Sequence, residues 1–168
     1  MRTQRVPAAR GLLVLSLLTA CAPTPAPPPA TSTPIPELAQ AEQALTGYFA
    51  ALANGRFAEA GNIYAGPVAS LQANNPDVSP DDHASLLERY CTQNGGVCLP
   101  VGKYAQRSAP AQDTFVFVVE FTNPDGTTFE IGPCCGEADT GQRTREFTYT
   151  VLLLDGEYQV FKLPPYVP

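Results

Sequence analysis

Between Ala22 and Pro36 the chain reads APTPAPPPATSTPIP, seven prolines in fifteen residues. Proline has no backbone N–H and its ring fixes φ, so this stretch cannot enter the interior of a helix or a sheet. It reads as an extended, semi-rigid spacer that advances about 3.1 Å per residue. The spacer divides the chain. Any packed core has to come from residues 37–168, a length that suits one compact domain.

The residues before the spacer have a different character. Residues 1–10 carry Arg2, Arg5 and Arg10 and no acid, and Gly11 to Ala20 is mostly apolar. That is the order of a secretory signal, residues 1–20. The apolar run is about half of what a membrane-spanning helix needs, at about 1.5 Å of rise per residue. The junction is Leu18-Thr19-Ala20-Cys21, an aliphatic residue and two small ones before a cysteine. It resembles the lipobox of bacterial lipoproteins. The resemblance implies a diacylglycerol on the thiol of Cys21 and cleavage before that residue. It also implies attachment to a membrane surface outside the cytoplasm, with residues 21–36 as the tether. Two or three acyl chains give stable anchoring. In that family Ala22, where an aspartate could stand, points away from inner-membrane retention. A plain secretory signal is the alternative, and it would leave Cys21 an unpaired thiol.

The net charge is -6 with a pI near 4.6, and the leader contributes only positive charge. An acidic domain repels phosphate backbones and anionic headgroups, so nucleic acid is not an expected partner.

From Glu37 onward the pattern is helical. Leu38, Ala41, Leu45, Tyr48, Phe49 and Leu52 recur at three-to-four spacing, and Asn54-Gly55 ends the run. A shorter helix is expected with Phe57, Ala60, Ile63 and Tyr64 inward, broken by Gly66-Pro67. A third is expected to start at Ser79 as N-cap, with Pro80 in the first helical position and Leu86, Leu87 and Tyr90 inward. The C-terminal half alternates with a period of two. Phe115, Phe117, Val119 and Phe121 share one face, and Val116, Val118 and Glu120 the other. Asn123–Gly126 reads as a turn, with Thr127–Ile131 returning beside that strand. Phe147, Tyr149, Val151 and Leu153 form another alternating face, and Asp155-Gly156 marks a hairpin into Glu157–Leu163. A further strand is expected from about Val101 to Ser108. Helices first and then antiparallel strands make an α+β domain, with N-terminal helices packed on a strongly curved sheet.

Two stretches carry a second resemblance. ALTGYFAALANGRFAEAGNIYA is an apolar helix ending in Asn-Gly that leads into an aromatic-then-alanine helix. LLLDGEYQVFKL is a closing hairpin. Together they resemble the nuclear transport factor 2-like, or cystatin-like, superfamily. That implies a cone formed by helices against a bent sheet. The superfamily holds both enzymes and binding modules, so the fold does not choose a function.

Cys91, Cys98, Cys134 and Cys135 remain once Cys21 is assigned. Outside the cytoplasm an even set favours disulfides. A Cys134–Cys135 bond closes a strained ring between neighbours, which favours Cys91 and Cys98 each bridging to that pair. The alternative is a local Cys91–Cys98 bridge with a vicinal Cys134–Cys135 pair. A four-cysteine zinc site lacks the CxxC spacing that aims two sulfurs at one metal, and the same gap argues against redox chemistry. His83, the one histidine, sits near a helix start beside two aspartates and reads as solvated. There is no Ser-His-Asp pattern, HExxH or phosphate loop, and no metal or cofactor is implied. The resemblance implies that an enzyme would work inside the cone, with Glu120 as a desolvated base and Tyr48 and Tyr90 as donors. The expectation is instead a non-catalytic, lipid-anchored envelope protein that binds a small apolar ligand or a protein partner. The alternatives are a small hydrolase or isomerase in the cone, and a structural subunit of a surface complex.

Overall fold

The structure is a computed structural model that describes residues 36–132 and 143–167. Cys21, the leader, the spacer up to residue 35, Cys134 and Cys135 lie outside the described residues. Helices come first and an antiparallel sheet follows, the α+β order expected from the sequence.

Helix α1 spans Glu37–Ala53 and buries Ala41, Leu45, Tyr48, Phe49 and Leu52, the stripe that its spacing predicts. It packs on the last two strands of the sheet. The Asn54 side chain ends it by donating to the Ala50 carbonyl at 2.6 Å. Helix α2, Phe57–Ile63, follows at once and packs on α4, His83–Thr92. Between them lies α3, Ala69–Asn74, a six-residue helix with no apolar period to announce it.

Helix α4 begins later than expected. Asp82, not Ser79, is the cap, and its carboxylate accepts from the Ser85 N–H at 3.0 Å. Ser79 heads the preceding turn, where its carbonyl accepts from the Asp82 N–H. Two helix-start motifs overlap in this sequence, and the carboxylate prevails as the stronger acceptor for the helix's free N–H groups. Leu86, Leu87 and Tyr90 face the core as the spacing requires.

The sheet has four strands in the order β1 (Val101–Ala111), β2 (Thr114–Phe121), β3 (Phe147–Leu154), β4 (Glu157–Val160), each antiparallel to the next. Phe115, Phe117, Val119 and Phe121 of β2 are buried, while Val116, Val118 and Glu120 are half-buried on the opposite face. Register shifts between β1 and β2 mark bulges, which bend a sheet. Asp155 and Gly156 both have positive φ, 51° and 86°, the two-residue turn whose twist suits a hairpin.

Two strand expectations are corrected. Thr127–Ile131 does not return along β2. It makes only isolated bridges, Thr122 to Thr128 and Ile131 to Thr144. Over Thr114–Val119 both edges of β2 are already taken, by β1 and by β3, so the returning segment meets only its end, where the Phe129 N–H donates to the Phe121 carbonyl at 2.9 Å. The last strand stops at Val160 rather than Leu163. Pro164-Pro165 follows closely, and the chain leaves the sheet there to pack elsewhere.

Candidate ligand groove

The segment that leaves β4, residues 161–167, forms a strap across the end of α4. Among the described residues three hydrogen bonds hold it there, two of which make up the bridge of Gly96 to Tyr166. The Val97 N–H donates to the Pro165 carbonyl at 2.8 Å, and the Val167 N–H to the Gly95 carbonyl at 3.0 Å. The Tyr90 hydroxyl donates to the Pro164 carbonyl at 2.8 Å. The loop that receives the strap needs a glycine: Gly95 has φ +75°, and a Cβ there would come within 2.6 Å of the Val167 carbonyl.

Cys91 and Cys98 are joined by a disulfide across this loop, with Cα atoms 5.6 Å apart. This is the local alternative, not the pairing of each with Cys134 or Cys135 that the sequence favours. The Gln93, Asn94 and Gly96 N–H groups all donate back to the carbonyls of Arg89 and Tyr90. The chain therefore doubles back at the end of α4 and brings Cys98 within bonding range of Cys91. With these two sulfurs bonded to each other, a four-cysteine zinc site is closed off.

Between the strap and β3 lies a groove of about 440 Å³. Tyr64 and Pro67 contribute from one stretch, Phe147 and Tyr149 from β3, and residues 161–166 from the strap. Apart from Ser70 and Lys162, the lining consists of aliphatic, aromatic and proline side chains. Lys162 is exposed. Its Nζ donates to the Thr148 carbonyl at 3.2 Å and sits 5.4 Å from the centre of the Tyr149 ring.

Behind the groove, four tyrosines converge. Tyr48 of α1 stacks on Tyr64, with ring centres 6.0 Å apart, and Phe49 sets its edge against Tyr149 at 4.8 Å. The Tyr64 hydroxyl donates to the Pro67 carbonyl at 3.1 Å. The Tyr48 and Tyr149 hydroxyls are buried and have no hydrogen-bond partner among the described residues. Burial, and then its neighbours Tyr64, Tyr149 and Tyr90, holds the Tyr48 phenol well above its ordinary range. Burial, and then Tyr90, pushes Tyr149 up as well. Tyr64 rises to about 12 through burial and then Tyr90, and Tyr90 to about 12 through burial and then Tyr166. At neutral pH all four are neutral phenols, able to donate hydrogen bonds but not to act as bases.

Of the residues expected at a site, Tyr48 and Tyr90 meet in the tyrosine cluster, and Glu120 stands apart from them. Tyr48 lies behind the groove and Tyr90 holds the strap. Glu120 is on the outer face of β2, away from Phe117, Val119 and Phe121, with Lys103 at 3.7 Å. A desolvated Glu120 base inside the cone is therefore overturned, because the strand's own alternation turns it outward. His83 packs its ring near Tyr64, with centres 5.9 Å apart. Tyr64, Tyr149, Lys162 and the strap are the residues that sequence reasoning missed as a set. Tyr149 could be read as inward from its strand, but a proline-rich strap carries no period. Among the described residues no cluster of three or more histidine, cysteine or acidic side chains could hold a metal ion, and no helix is long and apolar enough to cross a membrane.

No family model matches the chain, and no curated protein matches it. Among solved structures it is similar to a protein of Xanthomonas campestris described as a calcium/calmodulin dependent protein kinase II association domain. That likeness has 15% identity and a TM-score of 0.38, over 85% of this chain and 94% of the other. It is too loose to carry function.

Proposed function

We propose that this protein is anchored by lipid at Cys21 to a membrane surface outside the cytoplasm, and that its domain binds a small apolar ligand without catalysis. The observation that carries the binding is the groove between β3 and the strap, nearly all apolar in its lining and large enough for a small molecule. The anchor is supported by the order of leader, Leu18-Thr19-Ala20-Cys21 and proline spacer. The enzyme reading loses its main support with Glu120 on the outer face.

One set of preparations tests both parts. Expressed in a bacterial envelope, the full chain is expected in the membrane fraction with incorporated palmitate. The full chain carrying Cys21→Ala is expected to lose the label. Purified without detergent, that variant is titrated with N-phenyl-1-naphthylamine, an apolar dye that brightens on burial. Saturable binding is expected, weakened by Phe161→Asp and by Ser70→Trp, the second an exposed position that should leave folding intact. Palmitate retained after Cys21→Ala defeats the anchor. Dye binding indifferent to both groove variants defeats the groove.

A further inference from the structure

Resting on the groove reading above, we infer that the ligand is an amphiphile with a single anionic head, an aliphatic or aromatic acid held at Lys162. Among the described residues, Lys162 is the one charged side chain in the lining, and no carboxylate joins it there. Among the described residues it has no ion-pair partner. One of its three N–H groups goes to the Thr148 carbonyl, which leaves two donors for a ligand. The other lining groups are apolar surface, which suits a hydrocarbon or aryl body rather than a polyanion.

A cationic ligand is the natural rival, because Tyr64, Phe147, Tyr149, Phe161 and Tyr166 all contribute aromatic rings. Such rings attract cations through their faces. Here Lys162 already lies against Tyr149, so an ammonium ligand would meet a like charge at the ring that should bind it. The same ammonium is a partner for a carboxylate. The chain as a whole is acidic, so the preference for an anion has to arise from this one close contact, not from the long-range field.

The test uses three probes of equal chain length: decanoate, 1-decanol and decyltrimethylammonium. Each is kept below micelle-forming concentrations and displaces N-phenyl-1-naphthylamine from the full chain carrying Cys21→Ala. Decanoate is expected to displace the dye at about three- to tenfold lower concentration than the alcohol, as one half-exposed charged hydrogen bond allows. The cation is expected to be weakest. Lys162→Met is expected to remove the advantage of decanoate and leave the alcohol unchanged, and Lys162→Glu to favour the cation. Lys162 is exposed, so neither change should disturb the core. Equal displacement by acid and alcohol, or an acid preference that survives Lys162→Met, overturns the head-group inference while the groove reading stands. If none of the three probes displaces the dye, the groove reading falls and this inference falls with it.

Discussion

At the scale of single residues, the buried tyrosines differ in what their hydroxyls do. Tyr90 ties the strap to α4 through the Pro164 carbonyl. Tyr48 and Tyr149 bury hydroxyls that have no partner among the described residues. An unpaired buried hydroxyl costs about 1–3 kcal/mol of desolvation, whereas a paired one contributes about 1 kcal/mol. The same substitution is therefore expected to have opposite signs. Tyr48→Phe and Tyr149→Phe should raise stability to urea by about 1 kcal/mol each, because only the uncompensated group is removed. Tyr90→Phe should lower it by about 1–2 kcal/mol, because the Pro164 carbonyl is left without its donor. A Tyr149→Phe protein that unfolds earlier than the parent would show that its hydroxyl has a partner. The rings are a separate matter. They fill the space between α1 and β3, and truncation to alanine would open a cavity in either case.

At the scale of elements, the strap depends on a loop that the disulfide closes. The bridge spans a sequence separation of seven, and the loop it encloses carries both Gly95 and Val97, the residues that hold the strap. Constraining an unfolded loop of this length is worth roughly 2–3 kcal/mol. The paired change Cys91→Ser and Cys98→Ser is expected to lower stability by about that amount. It should also act locally: amide exchange at Val97 and Val167 should quicken well before exchange in the β2–β3 ladder. Unchanged protection at Val97 and Val167 would mean that the strap is held without help from the bridge. The loop also explains why the pairing could not be chosen from spacing. The backbone reversal after α4 rests on three N–H groups returning to the carbonyls of Arg89 and Tyr90, and no residue pattern before Gly95 signals it.

At the scale of the whole molecule, what could be read in advance was whatever repeats. The α1 stripe and the alternation of Phe115, Phe117, Val119 and Phe121 fix which side faces the core, and both follow from the periods of helix and strand. The same alternation put Glu120 opposite Phe117 and Val119, but which of the two faces the helices cover shows only in the folded chain. The groove was not legible, because its lining comes from the stretch between α2 and α3, Ser70 of α3, Ile131, one strand and an aperiodic strap that meet only in the folded chain. The tyrosine cluster is likewise a product of the assembly, drawn from α1, the end of α2, α4 and β3, and it sets how the fold responds to alkali. Burial leads the upward shifts of Tyr48, Tyr64, Tyr90 and Tyr149, so the folded state holds these protons more tightly than the unfolded chain, whose tyrosines release them near pH 10. A group whose pKa is raised by folding stabilises the fold in full below the unfolded value, and that contribution drains away as pH climbs through the folded one. Stability is therefore expected to be flat up to about pH 10 and to fall steeply from there toward about 12, the folded value of Tyr64 and Tyr90. Tyrosinate absorbance and far-ultraviolet circular dichroism, followed together in an alkaline titration, decide it. Part of the absorbance should appear only as helix and strand signals are lost. Full ionisation of all seven tyrosines with the dichroism intact would mean that the cluster is open to water and that burial does not hold those protons.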